Sequence, residues 1–220
     1  MEVNLVAKKN TLKIIPLGGL DEIGKNMTAF EYENEIIIVD CGLAFPDEEM
    51  PGVDLVINDI SYLEKQSKKI KGIFLTHGHE DHIGGLPYFL KEINVPVYGT
   101  RLTIALVEHK LKEQNMLSKV KLVNVRAGQV VRDCQHFSVE FIRTNHSIAD
   151  SAALAITTKL GTVIHMGDFK IDTTPIVGDM IDLARLGELG KQGVLALMSE
   201  STNVERAGYA MSEKSVGDKL

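Results

Sequence analysis

The sequence predicts an α/β fold with one polar edge, on three observations. Short apolar runs of strand length alternate with helical patterns as far as residue 114. The second half is richer in strand-like runs. Apolar runs in both halves also stop at a polar residue: Asp40, His77, His146, Asp168 and Ser199. Alternating strands and helices build a sheet layered with helices, and polar residues at successive strand ends converge on one edge of it.

Taken in order, residues 12–17 read as a first strand and residues 18–26 as a loop. The loop's glycines have the spacing of neither a Walker loop nor a dinucleotide fingerprint, so a tight turn is the better reading. Residues 27–32 and 35–40 form a hairpin about Glu33-Asn34. Its second arm, Ile36-Ile37-Ile38-Val39-Asp40, ends in a carboxylate that needs a partner once buried. That carboxylate caps a turn or orients a metal-binding histidine from behind. Residues 43–59, with Pro46, Pro51 and several acids, read as a surface loop, and residues 60–66 as a short helix. The apolar run 70–75 is a short buried strand. It is followed by a helix over about 82–93, a strand over 95–98 and an amphipathic helix over 102–114.

His109 lies on that last helix between Glu108 and Lys110 and reads as solvated. Residues 121–125, 129–132 and 137–143 read as strands, with His136 a plain strand residue. A hairpin follows over 152–158 and 162–166, then a helix over 180–189, a strand over 193–198 and a polar loop over 199–203. His165 precedes Gly167-Asp168-Phe169 on its strand, and its face is left open. No internal repeat, low-complexity segment or linker interrupts the chain.

Composition narrows the class. Hydrophobic content of 44% supports a sizeable core, and with no Trp and only 5% aromatics that core rests on Ile, Leu and Val. The net charge of -6 argues against a protein that coats nucleic acid by bulk charge, while leaving room for a local basic groove. Two cysteines, Cys41 and Cys134, make no disulfide framework and fit a reducing cytosol. Cys41 reads as core. No stretch approaches the roughly 18 consecutive apolar residues of a membrane span, and Met1-Glu2-Val3-Asn4-Leu5 lacks a basic-then-apolar signal. The expectation is a soluble cytoplasmic protein with no membrane partner.

The chemistry concentrates in Thr76-His77-Gly78-His79-Glu80-Asp81-His82-Ile83-Gly84-Gly85. Three histidines and an aspartate within six positions are hard to explain by packing. Alternate side chains of an extended segment point the same way, so His77 and His79 can reach one ion. Asp81 and His82 belong to the next turn and can reach a second. Imidazole with carboxylate suits zinc and also manganese.

This H-x-H-x-D-H run resembles the signature of the metallo-β-lactamase superfamily. With residues 17–26, Asp40, Thr144-Asn145-His146-Ser147, Gly167-Asp168-Phe169-Lys170 and Ser201-Thr202-Asn203, the resemblance covers essentially the whole chain. It narrows to the β-CASP nucleases of ribonuclease J type. It implies the first part of an αββα sandwich, with residues 1–208 as the N-terminal portion of the domain. Residues 209–220 would then begin a β-CASP insertion, the rest of which lies beyond Leu220.

By position, the resemblance implies that His77, His79 and His146 hold one ion, Asp81 and His82 the other, and Asp168 bridges them. Asp40 would support His77 from behind, and Asp81 and Asp168 would be the catalytic carboxylates. The cofactor implied is two zinc ions, with manganese or magnesium as alternatives, about 3.5–4 Å apart across a phosphodiester. The partner implied is RNA, cut with water both 5′-to-3′ and internally, by a homo-oligomer that also pairs with a paralogous subunit. The family's further histidine for the second ion has no counterpart here, since no histidine follows His165. Competing readings are a thioesterase, lactonase or β-lactamase on the same fold, and a scaffold subunit. Neither cysteine stands at a motif as a lactamase would require.

Overall fold

The run Ile36–Val39 sets the layers. Ile36 and Ile38 pack into one cluster with Met27, Ile73, Leu86, Phe89 and Ile104. Ile37 and Val39 point the other way, into a cluster with Phe30, Phe74, Phe141 and Leu154. Side chains alternate along a strand, so an unbroken apolar run marks a strand buried on both faces.

The structure is a computed structural model that describes residues 10–176, 178–209 and 211–217. In chain order its elements are β1 (Lys13–Gly18), β2 (Met27–Tyr32), β3 (Glu35–Val39), β4 (Leu43–Ala44), β5 (Val56–Ile57), α1 (Ser61–Glu64), β6 (Ile70–Phe74), α2 (Glu80–Ile83), α3 (Leu86–Glu92), β7 (Val97–Gly99) and α4 (Arg101–Glu113). They continue with β8 (Leu122–Asn124), β9 (Val130–Val131), β10 (Ser138–Arg143), β11 (Ala152–Thr158), β12 (Gly161–His165), α5 (Leu183–Gln192), β13 (Ala196–Met198) and α6 (Glu213–Gly217).

Among the described residues, one sheet runs β1-β2-β3-β6-β7-β8 and the other β13-β12-β11-β10-β9. The first cluster lies between the first sheet and α3 and α4. The second lies between the sheets. A third, with Ile142, Ala155, Ile164 and Leu189, seats α5 on the outer face of the second sheet. That order of layers is the αββα sandwich. β3 and β6 are parallel, as are β12 and β13, so the polar residues that follow these strands share an edge.

The structure departs from the sequence reading in five places. The helix expected over 82–93 is split into α2 and α3. Pro87 stands in the first turn of α3, and its ring would clash with the Ile83 carbonyl in a continuous helix. The helix expected over 180–189 is α5, displaced toward the C-terminus, because the Asp182 side chain accepts from Arg185 N and caps it there. The loop over 43–59 contains the β4–β5 pair. β13 begins three residues later than the expected strand. His136 sits in a bend before β10, its ring edge-on to Tyr32 at 6.1 Å. His109 is exposed, as read. The expectations for residues 1–5 and for the last three residues lie outside the described residues.

Candidate metal centre

β6 delivers Leu75 and Thr76 to the shared edge, the chain bends at Thr76, and His79 is extended before α2 begins. The alternation expected for His77 and His79 follows. His77 Nε2 and His79 Nδ1 are 3.1 Å apart, and His146 Nε2, from the loop after β10, is 3.1 Å from the same His79 nitrogen. Tetrahedral zinc with Zn–N of about 2.0–2.1 Å needs nitrogens roughly 3.3 Å apart, so the three rings fit one ion. α2 turns His82 inward. Its Nε2 lies 3.3 Å from Asp168 Oδ1 and 3.5 Å from Asp81 Oδ2, while Asp168 Oδ2 lies 3.6 Å from His146 Nε2. Asp168 therefore offers one oxygen to each cluster.

Among the described residues, two groups have donor atoms all within 4.8 Å of one another: His77 with His79 and His146, and His77 with His82 and Asp168. Asp81 stands beside the second group but outside it. Its Oδ2 is 3.3 Å from the Asn26 amide nitrogen, which also reaches the Asp81 carbonyl at 3.2 Å.

Asp40 corrects one expectation. It does not bond to His77. Its Oδ2 accepts from His82 Nδ1 at 2.8 Å and from Thr76 Oγ1 at 2.8 Å, and its Oδ1 accepts from Thr76 N at 2.8 Å. The reason is local: Asp40 has φ of 58°, a left-handed turn that swings its carboxylate under α2. His77 is supported one step removed, its Nδ1 lying 3.0 Å from Thr76 Oγ1. That hydroxyl gives its hydrogen to Asp40, so it accepts from His77 Nδ1–H and leaves Nε2 bare for a ligand role. Two glycines make the approach possible. A Cβ on Gly42 would sit 1.6 Å from the Asp81 carbonyl oxygen, and one on Gly167 (φ 60°) would sit 2.8 Å from Thr76 Cβ.

A family model described as the metallo-β-lactamase superfamily matches residues 20–180. The chain belongs to the metallo-β-lactamase superfamily. It is 54% identical to "Ribonuclease J" of Synechocystis sp. over 94% of this chain and 33% of that protein. It is 46% identical to "Ribonuclease J" of Thermus thermophilus over 95% of this chain and 38% of that protein. The chain thus spans about a third of the length of the curated relatives it matches. A solved protein of unknown function from Enterococcus faecalis superposes with a TM-score of 0.68 at 16% identity, over 96% of this chain and 56% of that one. That is a likeness of fold.

The charges of this metallo-β-lactamase centre divide along the same line as its ligands. Burial, then the neighbouring His82 charge, pushes His77 down to about 3, and burial lowers His146. Both rings therefore stand neutral, as metal ligands must. For His82, burial opposes the charged form, but Asp40 and Asp168 outweigh it and raise the ring to about 10. For Asp168, burial opposes ionisation, and the hydrogen bond and charge of His82 outweigh it, holding the carboxyl at about 2. Asp40 is likewise lowered by His82 against complete burial. Burial pushes the Cys41 thiol up, and Cys41 packs in the first core cluster.

The sequence reading missed three contributors. Thr76 links Asp40 to His77. Asn26, at the end of the glycine loop, braces Asp81 and lies 3.1 Å from His82 Nε2. His165 lines a cleft with Gly19, Asn26, Asp168 and Ser199. Its Nδ1 accepts from Gly167 N at 3.2 Å. The only signal for Asn26 was its place in the glycine loop. Strand alternation alone did not decide the face of His165.

Proposed function

We propose that this chain carries the dinuclear metal centre of a ribonuclease that hydrolyses RNA phosphodiester bonds. The observation that carries the reading is the pair of clusters that share His77 and are spanned by the Asp168 carboxylate, one oxygen 3.3 Å from His82 Nε2 and the other 3.6 Å from His146 Nε2, in a chain 54% identical to a ribonuclease J. One cluster alone would suit many hydrolases of this superfamily. Two clusters sharing a carboxylate suit an in-line displacement at phosphorus, in which both the attacking and the leaving oxygen need stabilisation.

His77 Nε2, His79 Nδ1 and His146 Nε2 would hold one ion, and His82 Nε2 and Asp81 the other, with Asp168 between them. Zinc fits the imidazole-rich set, and manganese or magnesium are the alternatives. When bound, the ions supply Lewis acidity to the phosphodiester and lower the pKa of water. The rest is done by the chain. Asp40 and Thr76 hold the Nδ1 sides of the His82 and His77 rings, so that each Nε2 faces the clusters. Asp81 and Asp168 are the carboxylates that touch the reacting centre, one steadied by Asn26 and one kept ionised by His82. The glycine loop and Ser199 wall the cleft beside them.

The ribonuclease reading brings others with it. Residues 1–208 form the N-terminal portion of the domain, residues 209–220 begin an insertion that forms the RNA channel, and the last ligand of the second ion follows that insertion. The assembled enzyme cuts both 5′-to-3′ and internally, as a homo-oligomer in the cytoplasm that can pair with a paralogue. No helix among the described residues is long and apolar enough to cross a membrane.

The test is metal content and cleavage measured together on the purified 220-residue chain. The expected result is one ion held more tightly than a second, with slow cleavage of single-stranded RNA that a chelator abolishes. Hydrolysis of a thioester or lactone faster than RNA would overturn the reading in favour of another hydrolase.

A further inference from the structure

Beyond His146, away from the other ligands, a cavity of about 390 Å³ opens between the loop after β10, the start of α4 and the loop after β8. The metal centre leaves it unexplained. Arg101, Arg126, Arg143, Thr144 and Asp150 line it along with His146.

The charges in this cavity are unevenly satisfied. Asp150 Oδ2 accepts from Leu102 N at 3.0 Å and so caps α4. Asp179 pairs with Arg143 at 3.3 Å, and Glu213 pairs with Lys170. The acids are engaged, whereas the guanidinium groups of Arg101 and Arg126 are exposed and have no ion-pair or hydrogen-bond partner among the described residues. The buried Thr144 hydroxyl also lacks a partner there. Arg101, Arg126 and Arg143 are balanced in this lining by Asp150, Asp179 and Glu213, so what distinguishes the cavity is not its net charge but two guanidinium groups free to meet an anion. Guanidinium groups match phosphate oxygens with two parallel hydrogen bonds, which makes phosphate the ligand chemistry this cavity suits.

We propose that this cavity is a backbone-phosphate subsite, in which Arg101 and Arg126 hold the RNA strand next to the nucleotide at the metal centre. The proposal rests on the ribonuclease reading and adds to it a location for the strand. On this proposal Arg101 and Arg126 contribute a local grip on nucleic acid that does not depend on bulk charge.

The experiment compares wild type with the double variant Arg101→Gln/Arg126→Gln, both metal-loaded. The probe is a short single-stranded phosphorothioate oligoribonucleotide, which resists cleavage and keeps its charges. Affinity is read by fluorescence anisotropy across a salt series. Each phosphate contact on a single strand contributes a slope of about 0.7 in log affinity against log salt. The double variant should therefore bind about tenfold or more weakly at low salt, with a slope shallower by about 1.4. Metal content and melting temperature should stay at wild-type values, because neither arginine has a partner to lose. Lys68→Gln, at the amino end of β6 and the opposite edge of the sheet, should leave the slope unchanged. A double variant with the wild-type slope overturns the subsite and leaves the ribonuclease reading standing. A wild type with no salt-dependent RNA binding overturns both.

Discussion

His77 and His82 are both buried, and their ring centroids lie 4.1 Å apart, yet they are wired in opposite senses. His77 reaches Asp40 only through the Thr76 hydroxyl and sits among other rings, so burial dominates and its proton is expelled. His82 bonds Asp40 directly and faces Asp168, so two carboxylates overcome the same burial and its proton is kept. A neutral His77 thus stands beside a protonated His82, which must give up its proton before it can hold a cation. Metal binding and proton release are linked in this way wherever a ligand is protonated in the free protein.

The contrast can be broken most severely by removing its first half. His79→Ala deletes the nitrogen against which both His77 and His146 are set. The expected outcome is loss of the tighter ion and of all metal-dependent RNA cleavage, read by elemental analysis and a gel assay. Retention of a full complement of metal would mean that the trio is not the tighter site.

Asp40→Asn acts on the other half. It should weaken the second ion by about 10–100-fold, the usual cost of removing a group that orients a ligand. The tighter ion should be less affected, since Thr76 still stands beside His77. Calorimetric titration separates the two steps, and equal weakening of both would show that Asp40 serves them alike.

A smaller effect sharpens the comparison from outside the centre. Burial opposes ionisation of Glu31, but hydrogen bonds from Tyr62, Lys13 and Lys69 outweigh it and hold the carboxyl at about 2. A depressed folded-state pKa gives stability that is present above the unfolded value of about 4.5 and is lost as pH falls toward about 2. Melting temperature should therefore drop across that window in the wild type and drop less in Glu31→Gln, with metal binding unchanged. A variant with the same acid profile as wild type would remove Glu31 from the account.

Much of this was legible in the sequence because strand periodicity is simple. Ile36–Val39 had to be buried on both faces, and alternation put His77 and His79 on one side. His146 and Asp168 could be grouped with them because each follows an apolar run. What was not legible depends on turns. The left-handed backbone at Asp40 sends its carboxylate to His82 rather than His77, and nothing in the residue types announces that φ. Thr76 looked like one more polar residue at a strand end, although it carries the link between Asp40 and His77. Pro87 sits in plain view, yet the split between α2 and α3 that turns His82 inward is a tertiary outcome, shared with the backbone bond from Gly85 N to the Cys41 carbonyl. Arg101 and Arg126 lie 25 residues apart and far from any motif, and only the fold brings them to one cavity.

The unequal wiring of the two clusters is tested most directly by counting protons. Calorimetric titration of the metal-free wild type with zinc at pH 7, repeated in buffers of different ionisation enthalpy, gives the protons released at each step. His77 and His146 have lowered values and carry no proton there, whereas His82, raised to about 10, carries one. The account predicts more proton release with the second ion than with the first, the second release fading as pH rises through about 10. Equal release at both steps, or release confined to the first, would contradict it.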